Sequence, residues 1–343
     1  MRAAITRAPS GPIDVVETDD PVRGSGEVLV RVHAASVNRL DRAVYEGVAM
    51  GGVATFPLIQ GIDAAGVIEE GSGAMATGLR VAVKPSIGCR RCRFCRAGRS
   101  ADCIDATLMG VHRPGGYAEL VAVPRPNLIR IPDEVTYAEA AAAAHTHAVV
   151  LRMIRRAGEL PPDSTVLVTG AGGALGTAAV QMASALGHRV LAAASTSEKR
   201  SAALTLGAAA VVDSTDPEPA RLVRDATDGA GVDLVIETTG ASRVIADAVS
   251  SLGRTGRIVL IGAEAGAKIE VDVKGLYRSR QAVIGSAGSN DIDFRDTYRM
   301  LGDHHIHPVI ASRHPLEEIE EAMGAITDRS RIGKVIIEMG EPA

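Results

Sequence analysis

The chain has 343 residues, 46% of them apolar and 23% charged, a mix that excludes wholesale disorder and, at ~100–200 residues per domain, implies two domains. Its 37 Lys+Arg against 41 Asp+Glu leave a formal net charge of -4, which argues against a dedicated nucleic-acid binder. Apolar runs such as Ala140–Ala144 fall far short of the ~18 residues of a membrane span, and Met1–Thr6 is too short and polar for a signal-peptide core, so a soluble, cytoplasmic protein is expected.

In chain order, Glu27–His33 alternates apolar and polar residues, as a half-buried antiparallel strand does. Gly and Pro punctuate further short strands through about Pro126, which reads as an irregular β domain. All four cysteines follow within fifteen positions, Cys89, Cys92, Cys95 and Cys103. Disulfide frameworks favour small chains in oxidising compartments, and neither condition fits. The spacing C-x2-C-x2-C-x7-C suits one tetrahedral ion, and four thiolates close its coordination shell, so the expectation is a structural zinc in a lobe at about 86–105. Arg90, Arg91, Arg93, Arg96 and Arg99 offset the negative charge of such a centre. The plainer alternative is a metal-free, redox-sensitive loop.

An alanine-rich helix is predicted over Tyr137–Ile154. From Pro161 the texture changes: strand Thr165–Thr169, the glycine loop Gly170–Gly176, a helix to about Leu186 closed by Gly187, then strand Arg189–Ala194. A glycine loop between strand and helix is the context that a dinucleotide fingerprint requires, since glycines admit the pyrophosphate and the helix N-terminus faces it with N–H groups. Gly170, Ala171, Gly173, Ala174, Leu175 and Gly176 are the expected contacts. Helices Glu198–Leu206, Glu218–Thr227 and Ser242–Leu252 alternate with strands Ala209–Asp213, Asp233–Glu237 and Arg257–Ile261, which predicts a doubly wound parallel sheet. Gly240 and Gly262 follow strand ends, where such sheets bind ligands. Helices near Phe294–Leu301 and Leu316–Ile326 and strand Lys334–Glu338 complete the chain.

An NAD site usually carries Asp or Glu at the end of the second strand, for the ribose 2'-OH. Here the segment reads Ser195-Thr-Ser-Glu-Lys-Arg200, with hydroxyls and two cations instead. That suits a 2'-phosphate, so NADP(H) is expected, held by Ser195, Thr196 and Lys199, with Arg200 as a further contact. The competing reading is a helix cap, Ser195 or Thr196, followed by solvated charges.

Asn38-Arg-Leu-Asp41, Gly61-Ile-Asp-Ala-Ala-Gly66, the cysteine lobe, Gly115-Gly-Tyr-Ala-Glu119, the glycine loop and Gly333-Lys-Val together resemble the medium-chain dehydrogenase/reductase superfamily, that of zinc alcohol dehydrogenases and quinone oxidoreductases. The resemblance covers essentially the whole chain. It implies a GroES-like catalytic domain, 1–140 with 286–343, and an inserted Rossmann domain, 141–285. It also implies a cleft active site and a homodimer or homotetramer, in which a strand near Gln281–Ser286 extends the sheet across a dimer.

Zinc members of the superfamily hold a second, catalytic zinc through a Cys shortly before an Asp, a His in Gly-His-Glu, and a later Cys or Asp. At the matching positions this sequence has Asn38, Ile62, and Ala143 or Ala144. None is a thiolate or imidazole, so a catalytic zinc of that type is not expected. An improvised site from His145 or His147 with Asp41 or Asp63 is the alternative; plainly read, these histidines line the cleft or cap the helix. The Asn38–Asp41 segment is closer to quinone oxidoreductases, which have Asn-Pro-x-Asp there, with Arg39 here replacing the Pro.

Without a Lewis acid, alcohol oxidation is hard, whereas a conjugated carbonyl accepts hydride at its β-carbon with the charge delocalised into an enolate. The expectation is therefore an NADPH-dependent reductase of a small enone, quinone or other carbonyl. In it Asn38 donates an amide N–H to the carbonyl, Tyr45 donates a hydroxyl or shapes the pocket, and Asp41 orders the loop. Against this, Asn38 reads as a turn residue and Tyr45 as a packed aromatic. Arg39, Arg42 and Arg113 read as solvated or paired charges. Two other readings share fold and cofactor: an alcohol or aldehyde dehydrogenase with atypical metal ligands, and an NADPH-binding sensor or structural protein with little turnover.

Overall fold

The computed structural model describes residues 1–49, 52–71, 75–262, 268–304 and 306–340. They form two compact units, 1–148 with 288–343, and 149–287. The division falls inside helix Tyr137–Ala157 rather than at 140, because the first half of that helix packs with the C-terminal segment: the Tyr298 hydroxyl donates to Ala140 O at 2.6 Å.

The first unit is built on a seven-stranded sheet whose central strand is Glu27–Val37. Ala64–Glu70 pairs with it antiparallel on one side, and Leu120–Pro124 and Lys334–Glu338 also pair with it antiparallel, so both chain ends enter one sheet. The strand runs beyond the expected His33 because Ala34, Ala35, Ser36 and Val37 are all buried; covered on both faces, that stretch loses the period-two signal. Val28, Val30, Val32 and Val37 pack with Val81, Val121, Val335 and Ile337, and with Leu316, Ile319 and Met323. The expected helix Leu316–Ile326 resolves into a 3-10 turn, Leu316–Glu318, and helix Ile319–Ala325. Strand Ile310–Pro315 was not anticipated, since it lies at the sheet edge and its Ile-Ala-Ser-Arg-His-Pro sequence carries no apolar alternation.

Register places the polar groups that matter. Val335 lies opposite Val37, and Ala65 opposite Ala34. Lys334 and Asp63, each just before its neighbour's run of paired residues, therefore converge on Asn38 at the end of the central strand.

The second unit is a six-stranded parallel sheet in the spatial order Ala210–Asp213, Arg189–Ala194, Thr165–Thr169, Val232–Glu237, Leu252–Leu260, Ala282–Gly285. Helices Ala174–Ala185, Ser197–Thr205, Pro219–Asp225 and Ser242–Ser250 connect successive strands. Valine, leucine and isoleucine fill the strands because both sheet faces are covered. The strand order reverses between Thr165–Thr169 and Val232–Glu237, which opens a crevice at their carboxyl ends. The fifth strand begins at Leu252, earlier than the expected Arg257, and helix Val273–Ser279 precedes the last strand. No helix among the described residues is long and apolar enough to cross a membrane.

Candidate active site and cofactor loop

At the end of the central strand of the first unit lies a dense buried polar cluster. Asp41, Asp63, Asn38 and Lys334 are all buried, the two carboxylates completely. Asn38 caps helix Arg39–Tyr45, and Asp41, at the third helical position, accepts from the Asn38 N–H at 2.8 Å, a reciprocal capping arrangement. The other Asp41 oxygen accepts from the Ile62 N–H at 3.0 Å, so this residue ties the 61–63 segment to the helix start. Burial, and next the charge of Asp63, push the Asp41 carboxyl up to about 6.

Lys334 supplies the compensating charge. Its ammonium donates to Asn38 Oδ1 at 2.7 Å and reaches Asp63 Oδ2 and Val37 O, each at 3.4 Å. Burial depresses the Lys334 pKa, against the pull of Asp63 and Asp41. Asp63 Oδ2 also accepts from Ser36 Oγ and from Asn38 Nδ2, whereas Asp63 Oδ1 is buried without a hydrogen-bond partner. The sequence reading missed Lys334 as a member of this site, although Gly333-Lys-Val stood out as a motif.

The expected role of Asn38 needs correction. Its two Nδ2 hydrogens face Asp63 Oδ2 at 2.8 Å, Asp41 Oδ2 at 3.1 Å and Ser36 O at 3.2 Å, so the amide N–H is held inside the protein and not offered to a carbonyl. Tyr45 stands apart: it packs against the main core of the unit with the Arg42 guanidinium 5.2 Å from its ring centre. Among the described residues no hydrogen bond links its hydroxyl to the cluster. Arg42 pairs with Glu46 at 2.6 Å, and Arg113 with Glu27 at 2.7 Å.

The residues at the positions of a catalytic zinc do not fit that ion. Asn38 is committed as described, and Ile62 packs in an apolar cluster with Val44, Ala54, Leu58 and Val111. Ala143 and Ala144 are fully buried; the side chain that meets the charges of Asp63 and Lys334 at that turn is His145, whose ring is partly exposed. His147 is buried with Nδ1 3.1 Å from Thr146 Oγ1. Among the described residues, His145, His147, Asp41 and Asp63 do not gather into a set of metal-ligating atoms.

The four cysteines do gather. Their sulfurs all lie within 4.8 Å of one another, and the N–H groups of Cys89, Cys92 and Cys95 point at Cys103, Cys89 and Cys92 Sγ at 3.3 to 3.4 Å. A soft, all-sulfur set of this size fits one tetrahedral zinc and leaves no position for a substrate. The lobe is anchored by Asp291, which accepts from Ser100 Oγ at 2.9 Å and pairs with Lys84 at 3.2 Å and with Arg90.

In the second unit, Gly170 has a φ of 61°, the left-handed turn that releases the chain from the first strand. A Cβ on Gly176 would lie 2.1 Å from Gly170 O, so only glycine lets the helix start this close to the loop. Helix Ala174–Ala185 begins at Gly173 without a side-chain cap, and Gly173, Ala174 and Leu175 are partly exposed while Ala171 is buried. These uncapped N–H groups fit a pyrophosphate. Lys199 is brought to the same loop: its stem would meet a Cβ on Gly172 at 2.6 Å. Ser195 is exposed at the strand end, and Thr196 caps helix Ser197–Thr205 through a 3.3 Å bond from the Lys199 N–H. Arg200 is committed elsewhere, pairing with Asp213 at 3.0 Å. Gly240 donates its N–H to Glu237 at 3.0 Å, and Gly262 follows the fifth strand. Glu237, fully buried at the switch point, also accepts from Thr169 Oγ1 at 3.2 Å and from the Thr239 N–H at 2.8 Å, a role that sequence alone did not suggest.

Residues 24–133 match the alcohol dehydrogenase GroES-like domain family, and residues 174–303 match the zinc-binding dehydrogenase family. The chain is 29% identical to an acryloyl-coenzyme A reductase of Sulfurisphaera tokodaii, over 98% of this chain and 100% of that one. It is 30% identical to an NAD-dependent alcohol dehydrogenase of Saccharolobus solfataricus, over 98% of this chain and 99% of the relative. The crystal structure of an NAD-dependent alcohol dehydrogenase superposes with a TM-score of 0.94 at 32% identity, covering 99% of this chain and 100% of that one. With a GroES-like unit made from both chain ends and a Rossmann sheet between them, this oxidoreductase belongs to the medium-chain dehydrogenase/reductase superfamily.

Proposed function

We propose that the protein reduces an α,β-unsaturated carbonyl or a quinone with NADPH, without a catalytic zinc. The observation that carries this reading is the Asn38–Asp63–Lys334 cluster: at the positions of metal ligands stand an amide committed to Asp63 and Lys334, the aliphatic Ile62 and a buried alanine. Such a site does not generate an alkoxide, but it excludes water and presents a fixed charge pattern, which suffices for addition to a conjugated system. The similarity to an acryloyl-coenzyme A reductase supports the same reaction class.

When bound, the reduced nicotinamide supplies the hydride. Gly170, Gly173 and Gly176 admit its pyrophosphate, and Ser195, Thr196 and Lys199 receive the 2'-phosphate, while Arg200 pairs with Asp213. The cysteine lobe holds one structural zinc. The same reading puts the protein in the cytoplasm as a homodimer or homotetramer, with no nucleic-acid or membrane partner. Support for self-association comes from the last strand of the parallel sheet, Ala282–Gly285: among the described residues its outer edge is unpaired, and Val273 and Tyr277 of the preceding helix are 74% and 79% exposed.

The test is NADPH oxidation against a panel of enones and quinones, with metal content measured on the same preparation. Enone or quinone turnover that survives chelation, with about one zinc per chain, is expected. Alcohol or aldehyde turnover that needs a second ion overturns the reading. Tight NADPH binding with no turnover on the panel makes the protein a sensor instead.

A further inference from the structure

The polar groups around Asn38 are almost wholly committed to one another. Both Asn38 Nδ2 hydrogens, the Asn38 Oδ1, the Lys334 ammonium, the Ser36 hydroxyl and both Asp41 oxygens have partners inside the protein. Among the described residues, two groups are left. Asp63 Oδ1 is a buried oxygen without a hydrogen-bond partner. The His145 ring is partly exposed on helix Tyr137–Ala157, between the fully buried Ala144 and the buried Thr146, and among the described residues no hydrogen bond reaches either of its nitrogens. Asp63 and Lys334 are the charges that act on it.

Among the described residues, this partly exposed imidazole without a hydrogen-bond partner, within the field of Asp63 and Lys334, is a donor that can meet a ligand. We propose that His145 is the catalytic hydrogen-bond donor to the substrate's carbonyl oxygen, the part that sequence reading assigned to Asn38. This inference rests on the enone or quinone reading above. In the enone case hydride adds to the β-carbon, the C=C π pair shifts to form a double bond between the α-carbon and the carbonyl carbon, and the C=O π pair moves onto the oxygen as an enolate. The His145 N–H stabilises that oxygen, and a proton from water then completes the α-carbon; NADPH is oxidised and the substrate reduced by two electrons. Burial holds the imidazole pKa below its ordinary value, against Asp63 and together with Lys334, so the ring is a neutral N–H donor at pH 7. A neutral donor stabilises the enolate oxygen in the transition state without first binding the ground state as an ion pair.

The experiment compares His145→Phe and His145→Gln with the wild type on the best substrate of the panel, reading kcat, KM, the NADPH Kd by fluorescence, and Tm. Loss of the donor in the Phe variant lowers kcat by about 100- to 1000-fold, with the NADPH Kd and Tm unchanged. The Gln variant, which keeps an N–H, recovers about tenfold or more of that loss. Three results overturn the inference: a Phe variant with near wild-type kcat, a Gln variant that folds yet is no better than Phe, or a second metal ion that is stoichiometric in the wild type and lost in both variants. If the wild type reduces no enone or quinone, the reading beneath fails, and this assignment falls with it.

Discussion

Replacing Lys334 by Met tests whether the buried cluster is held by an internal ion pair. The side chain is 3% exposed and that of Asp63 is fully buried, with Nζ and Oδ2 3.4 Å apart. At an effective dielectric constant of about 20, two unit charges at that 3.4 Å separation attract by about 5 kcal/mol. Breaking a buried pair by removing one partner costs about 3–5 kcal/mol, because the other charge stays buried and uncompensated. Asn38 Oδ1 also loses its 2.7 Å donor. The expected outcome at pH 7 is a thermal midpoint lower by roughly 6–20 °C for the transition of the first unit. The loss should shrink toward pH 5, where Asp41, already near 6 beside Asp63, takes up a proton and relieves the excess negative charge. Adding Asp63→Asn to Lys334→Met should restore most of the lost stability, since it removes the orphaned charge. Scanning calorimetry at two pH values reads all of this. A Lys334→Met protein within about 1 kcal/mol of wild type at pH 7, or a double variant no more stable than the single one, refutes the electrostatic argument.

Three further outcomes follow. The folded state holds the Asp41 proton to about pH 6 while the unfolded chain releases it near the ordinary aspartate value of 3.8, so stability should fall as pH rises between these two points, by about 3 kcal/mol in all, and Asp41→Asn should flatten that slope in urea midpoints. Stripping zinc with a strong chelator, or Cys95→Ser, should leave NADPH binding intact but make the 86–105 lobe the first site of limited proteolysis; an unchanged digestion pattern counts against a structural metal there. Under the proposed self-association, Tyr277→Glu with Val283→Lys should give a monomer in sedimentation, because one places charge on the exposed helix before the last strand and the other on that unpaired strand itself; an unchanged oligomer puts the interface elsewhere.

Local signals carried much of this architecture. The cysteine spacing located the lobe, because four thiols so close in sequence can gather from one loop, and their sulfurs lie within 4.8 Å of one another. The glycine loop was legible because only glycine tolerates the approach of Gly176 to Gly170 O. The cluster around Asn38 was not legible: its key donor lies 296 residues away and arrives only because the two chain ends share a sheet. His145 was hidden for a different reason. Ala140–Ala144 are all buried, so the run gives no periodicity to say which residue of the helix faces the polar cluster. That Arg200 pairs with Asp213 was not legible either, since its partner comes from a neighbouring strand.

A positive charge carried on a side chain has one property that a bound ion lacks: it cannot leave. Occupancy of a metal site follows the supply of the ion, competes with other ions, and fails when a stronger ligand enters the medium. The ammonium of Lys334, fixed 2.7 Å from Asn38 Oδ1, is present in every copy from the moment of folding. The charge that Lys334 brings to this cluster is thus independent of metal supply, whereas any ion held by the four cysteines would be exposed to scarcity and chelation.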